Sequence, residues 1–416
     1  MDDWIPIDDA LLEHPKLINI LLDETDKKVV GEGDARKVIL LVANGRNVEN
    51  PCEKASYNLL VGGSSGVGKD YVTSNTLDIL PKEETIKRRR ITKKVFAYWK
   101  NAKFDPEWTW DKKTFYGEDV SNAVLNEDVF KVMLSSGNAT STIIINQKAV
   151  DIEIRGKPVI IITSAEADPK NENLRRLPNI ELDESVNQTK AIMLRQSEFA
   201  KNGISMEYDP EVTNSLYLLK RVKVKIPFAD KIAKHFPTEH HIMRTNYPRF
   251  LDYIKSSCSL YQYQRDRDES YEYFLATKED YELARVCFAK TINNKNLIPI
   301  SHNQRKILEV IRSNNLSDFT VNDIIAKITF MSDRALRTNL DKLTNYGFFN
   351  KRSEKVEGIP KPIFYYQFID SPTFEIPSYD EIITNTSDKT NTSIASNTSN
   401  SNVNEVKEVN ETHIQV

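Results

Sequence analysis

The sequence predicts an α/β protein built on a largely parallel sheet, with helical regions flanking it and a small separate unit near the C-terminus. Three observations predict it. Residues 58–72 read N-L-L-V-G-G-S-S-G-V-G-K-D-Y-V, an apolar strand running straight into a glycine-rich turn. Between about residues 58 and 185, short apolar runs alternate with helix-like stretches, which is the layout of a helix-flanked sheet. Residues 300–370 carry a different pattern, three helical stretches and then two strands.

Taken in order, residues 1–57 form a helical lead-in, with apolar periodicity at Leu11, Leu12, Leu17, Ile18, Leu21 and Leu22, then Val38 to Val42, broken at Gly31-Glu32-Gly33. The core, 58–185, supplies strand-like runs at Asn58 to Val61, Lys94 to Tyr98, Lys113 to Tyr116, Val159 to Thr163 and Asn179 to Leu182, with a helix over Lys69 to Leu80. Ser141 to Ile154 is two β-branched runs around Asn146-Gln147-Lys148, a hairpin. Residues 186–299 are a lid-like helical region interrupted by Val222 to Pro227. Residues 300–370 form the separate unit, and 371–416, rich in Asn, Thr and Ser, are expected to be disordered because they bury too little apolar surface.

At 416 residues, two or three domains are expected, and 39% hydrophobic with 28% charged residues is the composition of a soluble globular protein. Cys52, Cys258 and Cys287 lie far apart, which argues against a zinc site or a disulfide framework and for a reducing, cytoplasmic setting. No run of eighteen apolar residues and no leader is present, so no membrane role is expected. The net charge of -3 decides little, since a nucleic-acid protein needs to be basic only where it touches phosphate.

The turn carries the chemistry. Gly63-x-x-x-x-Gly68-Lys69 matches the Walker A pattern. In it the backbone N–H groups of Gly63, Ser64, Ser65, Gly66, Val67 and Gly68 converge on phosphate oxygens, and the lysine reaches the β- and γ-phosphates. ATP and Mg²⁺ are the expected ligands, with Asp70 and Tyr71 completing the segment. Asp70 departs from the Ser or Thr that normally ligates Mg²⁺; a carboxylate is a good hard-oxygen ligand but adds negative charge beside the phosphates. A fortuitous glycine turn, or a degraded site that binds without hydrolysing, are the alternatives. A second strand should end in carboxylates, and Glu118-Asp119 follows Lys113 to Gly117. The two share metal and water activation in an order the residues leave open, and an exposed acidic turn is the alternative. The apolar run Val159 to Ile162 ends in Thr163-Ser164, where a polar side chain can sense the γ-phosphate. Arg175-Arg176, just before the last strand, reads either as a finger to a neighbouring subunit's phosphate or as a solvated pair. Lys148, at the hairpin tip, is either a grip on nucleic acid in a pore or a solvated lysine.

The order of glycine turn, carboxylate strand, sensor strand, arginine and final strand is that of AAA+ ATPases, and it implies a homo-oligomeric ring, expected to be a hexamer. The chain resembles the ATPase half of the primase-helicase proteins of phages and mobile elements, a branch of AAA+ related to superfamily-three helicases. The matching segments are Val29 to Val38, the glycine turn, Gly117-Glu118-Asp119, Ile180 to Ile192, Arg244 to Lys255, Tyr261 to Arg265 and Ala276 to Ala284. The resemblance covers most of residues 10–295 and implies a motor without primer synthesis, since the zinc-finger and primase regions that the family often carries upstream are not found here.

Three stretches are candidates for nucleic acid. Lys82 to Lys94 is the densest basic run and is followed by Tyr98 and Trp99, which can stack on bases, although a charge run is usually a solvated face. Lys220 to Lys225 alternates basic and apolar residues, as an edge strand guarded by lysine does. The 300–370 unit, with Ser332 as N-cap of its third helix and a hairpin after it, is the winged-helix pattern. Its recognition helix, Ser332 to Tyr346, carries Arg334, Arg337 and Lys342, and its wing carries Lys351, Arg352 and Lys355. A protein-contact module is the alternative there. The expected function is an ATP-dependent DNA helicase or translocase in replication of a mobile element or virus, with single-stranded DNA in the pore and duplex at the winged helix. The alternative is a non-translocating initiator, loader or switch.

Overall fold

Helices α1 (Leu17–Asp26) and α2 (Gly33–Asn44) open the chain, and the turn between them has positive φ at Gly31 (65°) and Glu32 (56°). The computed structural model describes residues 9–99, 107–164, 176–203, 206–238, 242–292, 301–355, 362–369 and 374–384. After α2 come β1 (Asn58–Gly62), α3 (Lys69–Leu77), β2 (Thr85–Arg88), α4 (Val95–Tyr98), β3 (Thr114–Gly117), α5 (Asn122–Leu125), α6 (Asp128–Ser135), β4 (Ala139–Ile145), β5 (Lys148–Ile154), β6 (Val159–Thr163) and β7 (Asn179–Glu181). Five of these strands form a parallel sheet in the order β2-β3-β6-β1-β7. The strand leading to Glu118 is therefore not a neighbour of β1, because β6 lies between them.

Alternation along the strands explains why both faces are covered. Leu59 and Val61 of β1, Ile161 of β6 and Tyr116 of β3 belong to one apolar core; Leu60, Ile160, Ile162 and Phe115 belong to the other. That second core is aromatic, with Phe96 5.0 Å from both Trp110 and Phe115 and 5.5 Å from Phe130. A strand buried on both faces has no polar side to reveal its period, hence the unbroken Val-Ile-Ile-Ile of β6. One expectation fails here. Lys94 to Tyr98 is not a strand but contains the single helical turn α4, whose Phe96 and Ala97 pack into the aromatic core. The strand is instead β2, inside the basic run, where Lys87 turns back to Asp78 at 2.6 Å.

Residues 1–57 are more than a lead-in. Most side chains of α2 are buried, and the helix packs on β1, β6 and α3. The following region holds α7 (Val186–Asn202), α8 (Pro210–Ser215), β8 (Lys223–Lys225), α9 (Ala229–His235), α10 (Met243–Leu260), β9 (Tyr273–Leu275) and α11 (Lys278–Ile292). α10 and α11 pack on α2, and α10 fixes the approach to β1. Asp252, fully buried, accepts from Cys52 N (2.6 Å) and Glu53 N (2.9 Å), while Tyr57 Oη donates to the Asp252 carbonyl at 2.7 Å. β8 pairs in parallel with β9, and its two lysines are bound by acids, Lys223 by Glu272 and Lys225 by Asp268. The cationic face read at 220–225 is thus an ion-paired edge.

The last unit comprises α12 (His302–Ser313), β10 (Asp318–Thr320), α13 (Val321–Ile325), α14 (Asp333–Asn345), β11 (Phe349–Glu354) and β12 (Ile363–Phe368), its strands in the antiparallel order β10-β12-β11. Ser301 starts α12 with a reciprocal capping box, and Ser332 caps α14 by accepting from Ala335 N. Residues 374–384, expected to belong to a disordered tail, fold back instead. Phe374, Ile376 and Ile382 are buried, Tyr379 of α15 (Tyr379–Thr384) meets Phe228 edge-on at 5.0 Å, and Tyr281 Oη donates to the Pro377 carbonyl at 2.6 Å. Phe374, Ile376, Tyr379 and Ile382 precede the Asn/Thr/Ser-rich stretch and supply the burial that composition over the whole tail hides.

Candidate phosphate site

The glycine turn lies between β1 and α3, at the edge of the sheet where phosphates bind in open α/β folds. Gly63, Gly66 and Gly68 have φ of 137°, 88° and 94°. No heavy atom lies within 4 Å of a Cβ built at Gly66 or Gly68, so backbone conformation, not space, requires glycine there. Lys69, buried at the first position of α3, donates its ammonium to the carbonyls of Gly63 (3.1 Å) and Ser64 (2.9 Å). Ser65 and Tyr71 are exposed; the Tyr71 hydroxyl donates to the Lys28 carbonyl at 3.0 Å. Val67 Cγ1 is the neighbour that a side chain at Gly63 would meet first, at 3.0 Å.

A carboxylate already sits on the turn. Glu184, just beyond β7, accepts from Ser64 N at 2.8 Å and Ser64 Oγ at 3.1 Å. These bonds, with Lys69 nearby, hold it below the usual carboxylate range. An anion therefore suits the amide of Ser64. Sequence reasoning gave Glu184 no role, although its place just past the C-terminal end of a core strand was a usable signal.

Asp70 faces the sheet. Its Oδ1 accepts the Thr163 hydroxyl in a short hydrogen bond and the Tyr116 hydroxyl at 3.3 Å. Thr163 Oγ1 in turn accepts from Asp119 N at 3.0 Å, and the Thr163 carbonyl from Val120 N at 2.8 Å. Thr163 is fully buried, and Asp119 is turned into the left-handed region, φ 48°. The helix after the turn thus offers the carboxylate, while the middle strand offers the hydroxyl. Burial first, then the charges of Asp70 and Glu118, push the Tyr116 phenol far above its ordinary range, so it stays a donor. Tyr116 also escaped sequence reasoning, because within β3 it reads as core. Ser164 is buried directly after Thr163. Glu118 is half-buried, its amide on the Arg88 carbonyl at 2.9 Å and its carboxylate 3.5 Å from Arg89; Asp119 is exposed.

Asp70, Glu118 and Asp119 do not converge as a metal cluster, and among the described residues no group of three or more His, Cys, Asp or Glu can hold an ion. Mg²⁺ at such sites typically uses only one or two carboxylates, the rest of its shell being phosphate oxygen and water. Asp70, beside Lys69, fits that requirement. Arg175 lies outside the described residues. The Arg176 carbonyl accepts from Asn58 Nδ2 at 3.0 Å, at the start of β1. That is the opposite edge of the sheet, on the order of 17 Å from the turn at strand rise, beyond reach of the same chain's phosphates.

Lys148 is exposed at the start of β5, beside the turn residues Asn146 and Gln147, both left-handed (φ 50° and 63°) as a two-residue hairpin requires. The hairpin's base is anchored by buried Ala139, Ile152 and Ile154, whereas Ile144 near the tip is 74% exposed. Arg334, Arg337 and Lys342 are exposed on α14, and Lys355 after β11; none has an ion pair among the described residues. Lys351 and Arg352 differ: Lys351 pairs with Asp341 at 2.6 Å, and Arg352 grips Asp318 through two bonds of 3.0 and 2.6 Å. Trp99, expected to be free for a base, is covered by Arg88 at 4.2 Å and packs on Trp110.

Among the described residues no helix is long and apolar enough to cross a membrane, and the three cysteines are free. No curated relative of the chain is found. Residues 7–221, just over half of the chain, match the family described as the MTBMA_p00010 P-loop domain, a span that takes in the glycine turn, the whole parallel sheet and α7. With its turn, sheet and helix in that arrangement, the chain belongs to this P-loop family and is a nucleotide-binding P-loop NTPase.

Proposed function

We propose that this NTPase is an ATP-driven motor of the AAA+ type that moves on single-stranded DNA as a homo-oligomeric ring, in replication of a mobile element or virus. The observation that carries the reading is the continuity of β5 and β6. The exposed hairpin tip with Lys148 leads, through Gly156 to Pro158, into the strand whose end, Thr163, is bonded to Asp70 beside the phosphate turn. A change in what Asp70 holds is thereby felt at the base of a projecting hairpin that carries a lysine at its tip. Asp70, with phosphate oxygens, would hold Mg²⁺, Glu118 or Asp119 would orient the attacking water, and Arg176, remote from its own turn, would serve a neighbour. Bound Mg²⁺ neutralises charge that builds on the phosphates. The place of β6 between β1 and β3 supports the AAA+ assignment.

Residues 301–369 then act as a winged helix on duplex DNA through Arg334 and Arg337, a cytoplasmic loading role in keeping with their lack of acidic partners. A second reading, an ATP-controlled switch sensing DNA through that module, rests on the same two arginines. Lys148→Ala separates the two. The motor reading expects loss of single-strand-stimulated turnover with basal turnover kept; unchanged stimulation favours the switch.

A further inference from the structure

At the N-terminal edge of the sheet, opposite the phosphate turn, a cavity of about 250 Å³ opens between residues 45–57, the approach to β3 and Lys157-Pro158. Its lining is lopsided in charge, with Arg46, Lys54, Lys112, Lys157 and Arg221 against Glu49 and Asp111. Three of the cations are compensated: Arg46 and Lys112 share Glu84 at 2.9 and 2.7 Å, and Arg221 lies 3.6 Å from Asp111. Lys54 and Lys157 have no carboxylate at salt-bridge distance among the described residues. The Lys157 ammonium makes do with neutral acceptors, Asn58 Oδ1 at 2.9 Å and the Pro158 carbonyl at 2.5 Å. Arg46, itself only 4% exposed, keeps an Nη2 with no acceptor.

Two like charges facing one cavity without a counter-ion are costly, and a buried ammonium escapes the cost by losing its proton. Burial, then the charge of Lys54, pulls the Lys157 pKa down to about 7. An anion seated between the two lysines removes both penalties.

The geometry points to a second anion site in this cavity, one that takes a terminal phosphate group between Lys54 and Lys157 with Arg221 at its rim. The size is below the range of most organic-ligand pockets, roughly 300–1,000 Å³, and suits a phosphate with at most a small attached group. Binding is linked to protons. A phosphate dianion favours the Lys157 ammonium, so a proton is taken up on binding above pH 7, where the ligand is already doubly charged; about one unit below, Lys157 already carries its proton and the phosphate takes up its own second proton, so the uptake disappears. Arg46 and Lys112 also favour the anion, while Glu49 and Asp111 oppose it; the buried Tyr57 phenol stays neutral.

The test uses the full-length chain carrying Lys69→Ala, which silences the phosphate turn, titrated calorimetrically with inorganic phosphate and with AMP in two buffers of different ionisation enthalpy. Saturable binding is expected, with proton uptake about one unit above pH 7 that is lost about one unit below. Lys54→Ala, at an exposed position, should weaken it about tenfold, the worth of one charge-assisted hydrogen bond. Lys157→Met should remove the proton uptake, and Arg221→Ala supplies a second exposed variant should Lys157→Met fail to fold. Phosphate binding that AMP does not improve on is the expected result, and tighter AMP binding would overturn the size assignment. Absence of binding, or binding insensitive to Lys54→Ala and Arg221→Ala together, overturns the site.

Discussion

Thr163→Val removes one oxygen from the centre of the proposed motor and nothing else. The side chain is fully buried, and its hydroxyl donates to Asp70 while accepting from Asp119 N. Valine keeps the shape but leaves the Asp119 amide without that acceptor and Asp70 without its nearest donor. A polar group stripped of its partner in this way costs about 1–3 kcal/mol, so about 2 kcal/mol is expected. At about 2–4 °C per kcal/mol for a domain of this size, Tm should fall by about 4–8 °C. ATP binding should change little, since the amides of residues 63–69 are untouched. Turnover should fall about tenfold or more if Asp70 is the Mg²⁺ ligand proposed above, since its carboxylate would no longer be held toward β6; tenfold corresponds to about 1.4 kcal/mol in the barrier. Thr163→Ser, which keeps the hydroxyl, should recover most of the turnover. Differential scanning calorimetry and a coupled phosphate-release assay on the three proteins measure both effects. Wild-type Tm and turnover in Thr163→Val would refute the reasoning.

Four further outcomes follow from the same geometry. Glu184→Ala should tighten ATP binding in a fluorescent-nucleotide titration, because the carboxylate competes for Ser64 N; weaker binding would show that Glu184 supports the site. Lys69→Ala should lose nucleotide affinity altogether, and retained binding in the same titration would count against the phosphate turn. Burial raises the Asp252 pKa to about 6 despite bonds from the Cys52 and Glu53 amides that act the other way. A folded-state pKa above the unfolded value means the folded chain binds the extra proton, so this group's contribution to stability falls as pH rises from about 4 to 6. Asp252→Asn should remove that slope from urea-denaturation midpoints, and an unchanged slope would locate it elsewhere. Arg334→Ala with Arg337→Ala should lower the log-log salt slope of duplex binding by about two units, at roughly 0.9 per phosphate contact. Point substitutions are the right tool there, since deleting residues 301–416 would also remove the strap at 374–384 and uncover Phe228 and Tyr281.

The turn, β1 and β6 were legible in the sequence because glycines at that spacing, and an unbroken β-branched run, are each compatible with very few local structures. β2 was not. Thr85–Arg88 is four residues long and half cationic, and its register is set by β3 alongside it rather than by any pattern of its own. The reverse error at Lys94 to Tyr98 has the same origin, for aromatic residues suit a strand or a buried helical turn equally until the packing of Phe96 on Trp110 decides. At the site, residues 63–70 and 118–119 were readable from spacing, but the Asp70–Thr163 bond joins residues 93 apart in sequence and Glu184 reaches Ser64 across 120. Contacts of that kind depend on strand order, which spacing does not encode. Charge runs misled most: Lys87, Arg88, Lys351 and Arg352 look free in sequence and are each engaged by an acid or an aromatic ring.

Steady-state ATP hydrolysis by the full-length chain, measured with and without single-stranded DNA beside a Lys69→Ala control, tests the motor reading most directly. Hydrolysis that single-stranded DNA stimulates, and that Lys69→Ala abolishes, is the predicted result. Nucleotide binding without turnover, or turnover indifferent to single-stranded DNA, would contradict it.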